Sequence, residues 1–336
     1  MNAPRIAIVG ATGLVGETLL RVLDEHRFPL SHLTLFGSAR SSGSTVAALG
    51  AHHEVRGIDA GAAPDFSAFE LVFFAAGPDV SRALVPLALA AGAVVIDKSA
   101  AFRSDPGVPL VVPEVNASTL TGKHLIANPN CAVIPLAVAL APIHRRFTLE
   151  WVNVATYQSV SGAGKEALAE FERQLAGDRS PESALPRRIV GNVFPENGPF
   201  DETGRGEEER KIASEFCKIL DDGSIRVSVT SVRVPVAVGH GEAVSFGTRQ
   251  PAQRDDLVQV LRAAPGVKFL DGPAYATPLE VTGTDDVVVG RLRADDAHPG
   301  AYLIWIVSDN LRKGAATNAV QIAHAVLAAG TGAIRA

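Results

Sequence analysis

Two side chains in this 336-residue sequence are of the types that covalent acyl chemistry needs. Cys131 stands in Asn128-Pro129-Asn130-Cys131-Ala132, just ahead of an apolar helical pattern from Val133 to His144. A thiol near a helix N-terminus is favoured as the thiolate, with a lowered pKa. The Pro and Asn around it mark a loop rather than the buried site that a free cysteine usually takes. Cys217, the other of two cysteines, falls in the amphipathic stretch Glu207 to Leu220 and reads as structural. His240 reads as part of a glycine-flanked loop, Gly239-His240-Gly241, between two strands. Such a loop between core elements is a common place for a proton carrier. His26, His32, His52, His53 and His144 read as surface residues.

A third constellation opens the chain. Gly10-Ala11-Thr12-Gly13-Leu14-Val15-Gly16 follows a short apolar strand and begins a helix. Glycines there permit a tight turn and close approach to a pyrophosphate, which the helix N-terminus receives. The next strand ends in Phe36-Gly37-Ser38-Ala39-Arg40-Ser41-Ser42-Gly43. No acid is present to hold a ribose 2′-hydroxyl; the guanidinium and hydroxyls suit a 2′-phosphate instead, favouring NADP over NAD. A thiolate with a nicotinamide points to interconversion of an aldehyde and an activated acyl group, with hydride moving to or from the sulfur-bound carbon.

The elements that must position these groups fall into two kinds. Strands at Arg5–Val9, 33–36, 70–75 and 94–97 alternate with helical patterns at 13–25 and 79–91, which predicts βαβ units and a parallel sheet. Further on, 151–159 reads as a strand and Lys165–Leu175 and Glu207–Leu220 as helices, with an irregular connection over 180–206. Stretches 225–236, 242–249 and 287–292 alternate as antiparallel strands do, and 301–307 adds another. A closing apolar helix, 315–327, follows directly and is expected to return to the first domain. The predicted fold is therefore α/β: an N-terminal Rossmann-like NADP-binding domain (1–132 and 314–336) and an α+β catalytic and dimerisation domain with a mainly antiparallel sheet (133–313).

Composition agrees with a globular protein. Hydrophobic residues make 47% and charged residues 20% of the chain, and its net charge is −5. That argues against a disordered chain and against nucleic acid as a partner. Two cysteines cannot build a disulfide scaffold. The first residues lack a signal-peptide pattern, and the longest apolar stretch, 80–96, is too short and interrupted to span a bilayer. A cytoplasmic protein without a membrane partner is expected.

Taken in order, the motifs resemble the bacterial aspartate-β-semialdehyde dehydrogenases along essentially the whole chain. The carrying stretches are the Gly10–Gly16 loop, Ser38-Ala39-Arg40-Ser41, Ala101-Phe102-Arg103, Val111–Asn116, Pro129-Asn130-Cys131, Tyr157–Gly164, Glu208-Glu209-Arg210-Lys211, Val232-Arg233-Val234-Pro235, His240 and Ser308–Gly314. The resemblance implies NADPH-dependent reduction of β-aspartyl phosphate to aspartate β-semialdehyde with release of phosphate, on the route to lysine, threonine and methionine. It implies Cys131 as nucleophile and His240 as acid/base. Gln158, Glu208 and Arg233 would bind substrate, through its reacting end, ammonium and α-carboxylate respectively. Arg103, Asn130 and Lys211 would bind phosphate; Glu208 and Lys211, three residues apart, would share one helical face. Gly10, Thr12, Gly13, Leu14, Val15, Gly16, Arg40, Ser41, Ser161, Gly162 and Asn310 would contact NADP(H). The second domain would form a homodimer or a dimer of dimers, and no metal is implied.

Three departures stand out. Ser44 replaces a lysine often found there, Gly241 replaces a serine that commonly follows the histidine, and 178–205 is short and polar. Related chemistry belongs to N-acetyl-glutamyl-phosphate reductase, whose cysteine motif differs, and to malonyl-CoA reductase. A non-catalytic paralogue would be expected to lose the cysteine.

Overall fold

The computed structural model describes residues 3–58, 63–180 and 183–329. In chain order the elements are β1 (Arg5–Val9), α1 (Leu14–Glu25), β2 (His32–Ser38), β3 (Thr45–Ala48), β4 (Ala51–Ile58), β5 (Leu71–Phe74), α2 (Pro78–Ala90), β6 (Val94–Asp97), α3 (Pro113–Asn116) and β7 (Leu125–Ala127). Then come α4 (Val133–Phe147), β8 (Leu149–Gln158), α5 (Lys165–Leu175), α6 (Glu207–Leu220), β9 (Arg226–Arg233), β10 (His240–Thr248), α7 (Arg254–Ala263), β11 (Val267–Phe269), α8 (Pro278–Val281), β12 (Val287–Ala294), β13 (Tyr302–Ser308) and α9 (Thr317–Ala328). Two compact units result: one runs to Pro129 and resumes at Ala315, the other is Asn130–Gly314. Residues 330–336, assigned above to the first domain, lie outside the described residues.

The first unit is a seven-stranded sheet in the order β3-β4-β2-β1-β5-β6-β7, parallel except where β3 runs against β4. At its centre β1 is apolar after Arg5 and β5 is apolar throughout, as strands covered on both faces are. One face buries Ile6, Ile8, Leu35 and Phe73 with Leu19 and Leu23 of α1 and Val320 and Ile322 of α9. The other buries Val9, Val72 and Phe74 with Leu84 and Val85 of α2. The connection between β1 and α1 shows why two glycines stand there. Gly10 has φ +90, and a Cβ on it would meet the Ala75 backbone at 2.8 Å; one on Gly16 would lie 2.2 Å from the Gly10 carbonyl oxygen. The β3–β4 hairpin was not expected.

The second unit is a six-stranded sheet in the order β11-β12-β13-β10-β8-β9. The three central pairings are antiparallel, but β9 runs parallel to β8 and β11 parallel to β12. The expectation that 225–236 is an antiparallel strand is therefore corrected. A long crossover through α5 and α6 separates β8 from β9, and such a return delivers the strand in the same direction. Alternation along a strand reports which faces are buried, not which way its neighbour runs. On the inner face lie Val152, Val154, Val244, Phe246, Ile304 and Ile306, all buried, against the apolar α4. The outer face carries Trp151, Tyr157, Ala243 and Trp305, with Tyr157 38% exposed and its ring 5.7 Å from that of Trp305. Among the described residues no helix is long and apolar enough to cross a membrane.

Candidate active site

Cys131 lies in the turn that leads into α4. Asn130 shapes that turn: its Oδ1 accepts the Ala132 N–H at 2.8 Å, and its carbonyl accepts from Val133 and Ile134 at 3.0 and 3.1 Å. The Asn130 N–H donates to Glu215 Oε2 at 2.7 Å and its Nδ2 to Glu208 Oε1 at 2.8 Å. Behind the thiol, the Cα of Gly314 is so near that a Cβ there would sit 3.2 Å from Cys131 Cβ.

The Sγ of Cys131 is 3.3 Å from Nε2 of His240. His240 is the first residue of β10, paired with Ser308 of β13, rather than a loop residue. Its other ring nitrogen, Nδ1, accepts the Ser159 backbone N–H at 3.1 Å. A backbone N–H can only donate, so Nδ1 presents its lone pair and Nε2 carries the proton of the neutral ring. Burial, followed by the Arg233 charge, pushes the imidazole pKa from 6.5 down to about 3. A neutral ring offering Nε2–H to sulfur is matched to a thiolate as acceptor.

Arg233 ends β9 opposite Gln158 at the end of β8. It is buried, and one nitrogen, Nη1, donates to the Ser159 carbonyl at 2.6 Å. Burial lowers its pKa, while Cys131 and Glu208 act in the opposite direction. The guanidinium is thus a fixed cation beside the thiol, and it favours the thiolate further. Gln158 Nε2 reaches the same Glu208 Oε1 that holds Asn130, at 3.3 Å. Sulfur, imidazole, guanidinium, carboxamide and carboxylate are therefore brought together in the second unit, as expected of Cys131, His240, Arg233, Gln158 and Glu208.

Other candidate residues make contacts within the protein that the sequence did not announce. Lys211 does not join Glu208; its Nζ pairs with Glu207 at 2.6 Å, the favoured Glu-before-Lys spacing of four. Asn310 is buried and its carboxamide is engaged within the protein. Oδ1 accepts from Gly239 N at 2.8 Å and Ser159 Oγ at 3.0 Å, and Nδ2 donates to Ser161 Oγ at 3.0 Å. It thereby braces the approach to His240. Gly162 is exposed, and a Cβ on it would lie 3.0 Å from Arg233 Nη1. Gly241 leaves no room for the commoner serine: a Cβ would lie 2.4 Å from the Trp305 ring. Ser44 donates to the Ser41 carbonyl at 2.6 Å.

In the first unit, Thr12 of the glycine loop meets Ser41 through their hydroxyls at 3.1 Å. Arg40 is exposed beside it. Leu14, Val15 and Gly16 form the first turn of α1, where the amides of a helix N-terminus could hold a pyrophosphate. The end of β2 carries no carboxylate and is followed by the Arg40 guanidinium, and the loop could hold a nicotinamide dinucleotide. Arg103 is buried, with Nε donating to the Asn128 carbonyl at 3.0 Å and Nη2 to the Lys98 carbonyl at 2.6 Å. Asn128 is tied in turn to Asn318 Nδ2 at 2.8 Å.

Sequence reasoning missed Ser159, Glu215 and Glu242. Ser159 lies unsingled within the Tyr157–Gly164 stretch. Glu215 is seven residues after Glu208, two helical turns, and so on the same face. Glu242 is fully buried on β10, and neither carboxylate oxygen has a hydrogen-bond partner.

A parallel-sheet unit with a phosphate-type glycine loop, joined to a unit holding a cysteine–histidine pair beside a buried arginine, defines the semialdehyde dehydrogenase class. Residues 5–123 match the family model described as semialdehyde dehydrogenase, NAD binding domain, and residues 140–313 match that described as semialdehyde dehydrogenase, dimerisation domain. An aspartate-semialdehyde dehydrogenase of Shewanella violacea is 44% identical over 331 residues, covering 96% of this chain and 97% of the relative. One from Legionella pneumophila is 45% identical over 330 residues, 95% of this chain and 94% of the relative. The crystal structure of aspartate semialdehyde dehydrogenase II complexed with ASA from Vibrio cholerae superposes with a TM-score of 0.93 at 40% identity, covering 98% of this chain and 99% of that one. The chain belongs to the aspartate-semialdehyde dehydrogenase family.

Proposed function

We propose that the chain reduces L-aspartyl-4-phosphate to L-aspartate 4-semialdehyde with NADPH, releasing inorganic phosphate, as a cytoplasmic enzyme of amino-acid biosynthesis. The observation that carries this reading is the Cys131 sulfur 3.3 Å from a neutral His240 and beside the buried Arg233. The Cys131 thiolate attacks the acyl carbon, the carbon–oxygen bond to phosphate breaks, and phosphate leaves with the electron pair. A thioester on Cys131 remains. A nicotinamide held by the glycine loop, when bound, would supply the hydride that reduces the thioester carbon; on Cys131, collapse of the resulting oxyanion expels the thiolate as the aldehyde forms. Throughout, His240 keeps its Nε2–H aimed at whichever neighbouring atom carries the charge, sulfur or oxyanion. The acid/base role expected of His240 is here narrowed to donating this hydrogen bond from a ring that burial keeps neutral.

Arg233 receives the substrate α-carboxylate on the nitrogens that Ser159 does not use, as the guanidinium fork permits. Glu208 pairs with the ammonium and Gln158 orients the acyl end. Phosphate is assigned to the cations Arg103 and Lys211; Asn130 acts through the turn it builds. The glycine loop, Arg40 and Ser41 would hold NADP(H), with Ser161 and Gly162 at the nicotinamide. A second copy of the chain would cover the outer sheet face around Tyr157 and Trp305, giving a homodimer.

The test is NADP reduction in the presence of aspartate semialdehyde and phosphate, read as NADPH absorbance. Turnover is expected for the native enzyme and lost in Cys131→Ala, which retains NADP binding. Turnover only with N-acetyl-glutamate semialdehyde, or only of malonyl-CoA in the reductive direction with NADPH, would overturn the substrate assignment.

A further inference from the structure

We infer that Glu215 is a positioning residue for the nucleophile, clamping the Asn130–Cys131 turn to α6. The inference rests on the reading of Cys131 as nucleophile. Four acids of α6 have separate tasks. Glu207 pairs with Lys211. Glu209 accepts the Gly206 N–H at 2.8 Å and the Ser231 N–H at 3.1 Å, fixing the helix start to β9. Glu208 and Glu215 both close on Asn130, one on the side-chain amide and one on the backbone N–H. Their Cα atoms stand roughly 10 Å apart along one face of the helix.

The backbone bond matters most for Cys131. It is 2.7 Å long, made to a carboxylate that is 5% exposed, and it acts on the residue directly before the nucleophile. A charge-assisted bond of this kind in a dry setting is strong and directional. Asn130 Oδ1 already turns back onto Ala132 and its carbonyl starts α4. The N–H is therefore the backbone point at which α6 can set the rotation of the turn, beside the side-chain bond to Glu208. The close approach of Gly314 to the Cys131 backbone and Cβ limits movement of the turn as well. Held between the two, Sγ stays within reach of His240 Nε2. Because α6 also carries Glu208, the same helix that receives the substrate ammonium aligns the sulfur that attacks.

The test compares Glu215→Ala and Glu215→Gln in the full chain. Gln keeps an oxygen acceptor of the same reach; Ala removes it. For Glu215→Ala, kcat should fall about a hundredfold, the usual result of displacing a reacting group by about 1 Å, while KM changes less than about threefold. The pH profile of Cys131 alkylation by iodoacetamide, followed on its own peptide by mass spectrometry, should shift to higher pH as the thiolate loses the Nε2–H. Glu215→Gln should restore kcat and the profile to within about threefold of the native enzyme. A Glu215→Ala protein with native kcat and alkylation profile but a lowered melting temperature would overturn the assignment, leaving a purely structural carboxylate. If Ala does not fold, Glu215→Asp replaces it; its acceptor is withdrawn by one methylene, and native kcat there would be equally fatal. A native enzyme without turnover whose Cys131 profile still shifts in Glu215→Ala would support the clamp while refuting the proposed reaction.

Discussion

Replacing Gly162 with alanine adds one methyl group beside both Arg233 and His240. Its Cβ would lie 3.0 Å from Arg233 Nη1, 3.3 Å from His240 Cε1 and 3.4 Å from His240 Nε2. Comfortable contacts between such atoms begin near 3.5 Å, so a neighbour must give by several tenths of an ångström. Neither can give freely. Arg233 is held at 2.6 Å by the Ser159 carbonyl, and His240 at 3.1 Å by the Ser159 N–H. The crowding therefore moves the guanidinium, the imidazole or the Gly162 turn, and with it the fit between substrate carboxylate and thiol. Gly162 does not need a left-handed backbone and its own surface is exposed, so the fold should be untouched. A displacement of about 0.5–1 Å at the reacting groups corresponds to a loss of about 10- to 100-fold in kcat/KM, about 1.4–2.7 kcal/mol. Steady-state rates against aspartate semialdehyde, with the melting temperature as control, measure this. Native kcat/KM in a Gly162→Ala protein of unchanged stability would refute the placement of Arg233 and His240 around the substrate.

Two further outcomes follow. Arg233→Lys should raise KM for aspartate semialdehyde at least tenfold with a smaller effect on kcat, since an ammonium cannot both bond the Ser159 carbonyl and grip a carboxylate bidentately; an unchanged KM would remove Arg233 from carboxylate binding. Glu242→Gln should change the pH dependence of stability. Burial pushes the Glu242 carboxyl well above the usual range, so the folded state holds a proton that the unfolded chain loses near pH 4.3. The stability that this proton confers is complete below that pH and is lost as pH rises toward the folded value. The melting-temperature gain of Glu242→Gln over the native protein should therefore grow as pH rises above the unfolded carboxyl's range toward the raised folded value. A pH-independent difference would contradict a neutral buried carboxyl.

Much of the framework was legible because local pattern and tertiary role coincide in it. Lys165–Leu175 and Glu207–Leu220 are helices with the boundaries their amphipathic periodicity predicts. The strand, glycine loop and helix at 5–25 follow from apolar runs punctuated by glycine. The β3–β4 hairpin escaped because His52, His53 and Glu54 give it no buried face to announce it. Helix α7 was overlooked although Leu257, Val258 and Leu261 mark a buried stripe. The parallel course of β9 depends on a crossover, which no local pattern reports.

The site shows the same division. Cys131, Arg233, Gln158, Glu208 and His240 were accessible from residue type and resemblance. The bonds that orient them were not. Ser159 acts on His240 through its backbone, which any residue possesses. Glu215 reaches Asn130 across 85 positions of sequence, and Asn310 reaches Ser159 across 151. Such contacts exist only once the sheet and α6 are assembled.

The central claim is that the acyl group passes through Cys131. It is tested most directly by mixing the enzyme with L-aspartyl-4-phosphate in the absence of NADPH and mapping the product by peptide mass spectrometry. The account predicts one aspartyl group, in thioester linkage, on the peptide containing Cys131. An unmodified Cys131 peptide from an enzyme that turns over when NADPH is supplied would contradict it.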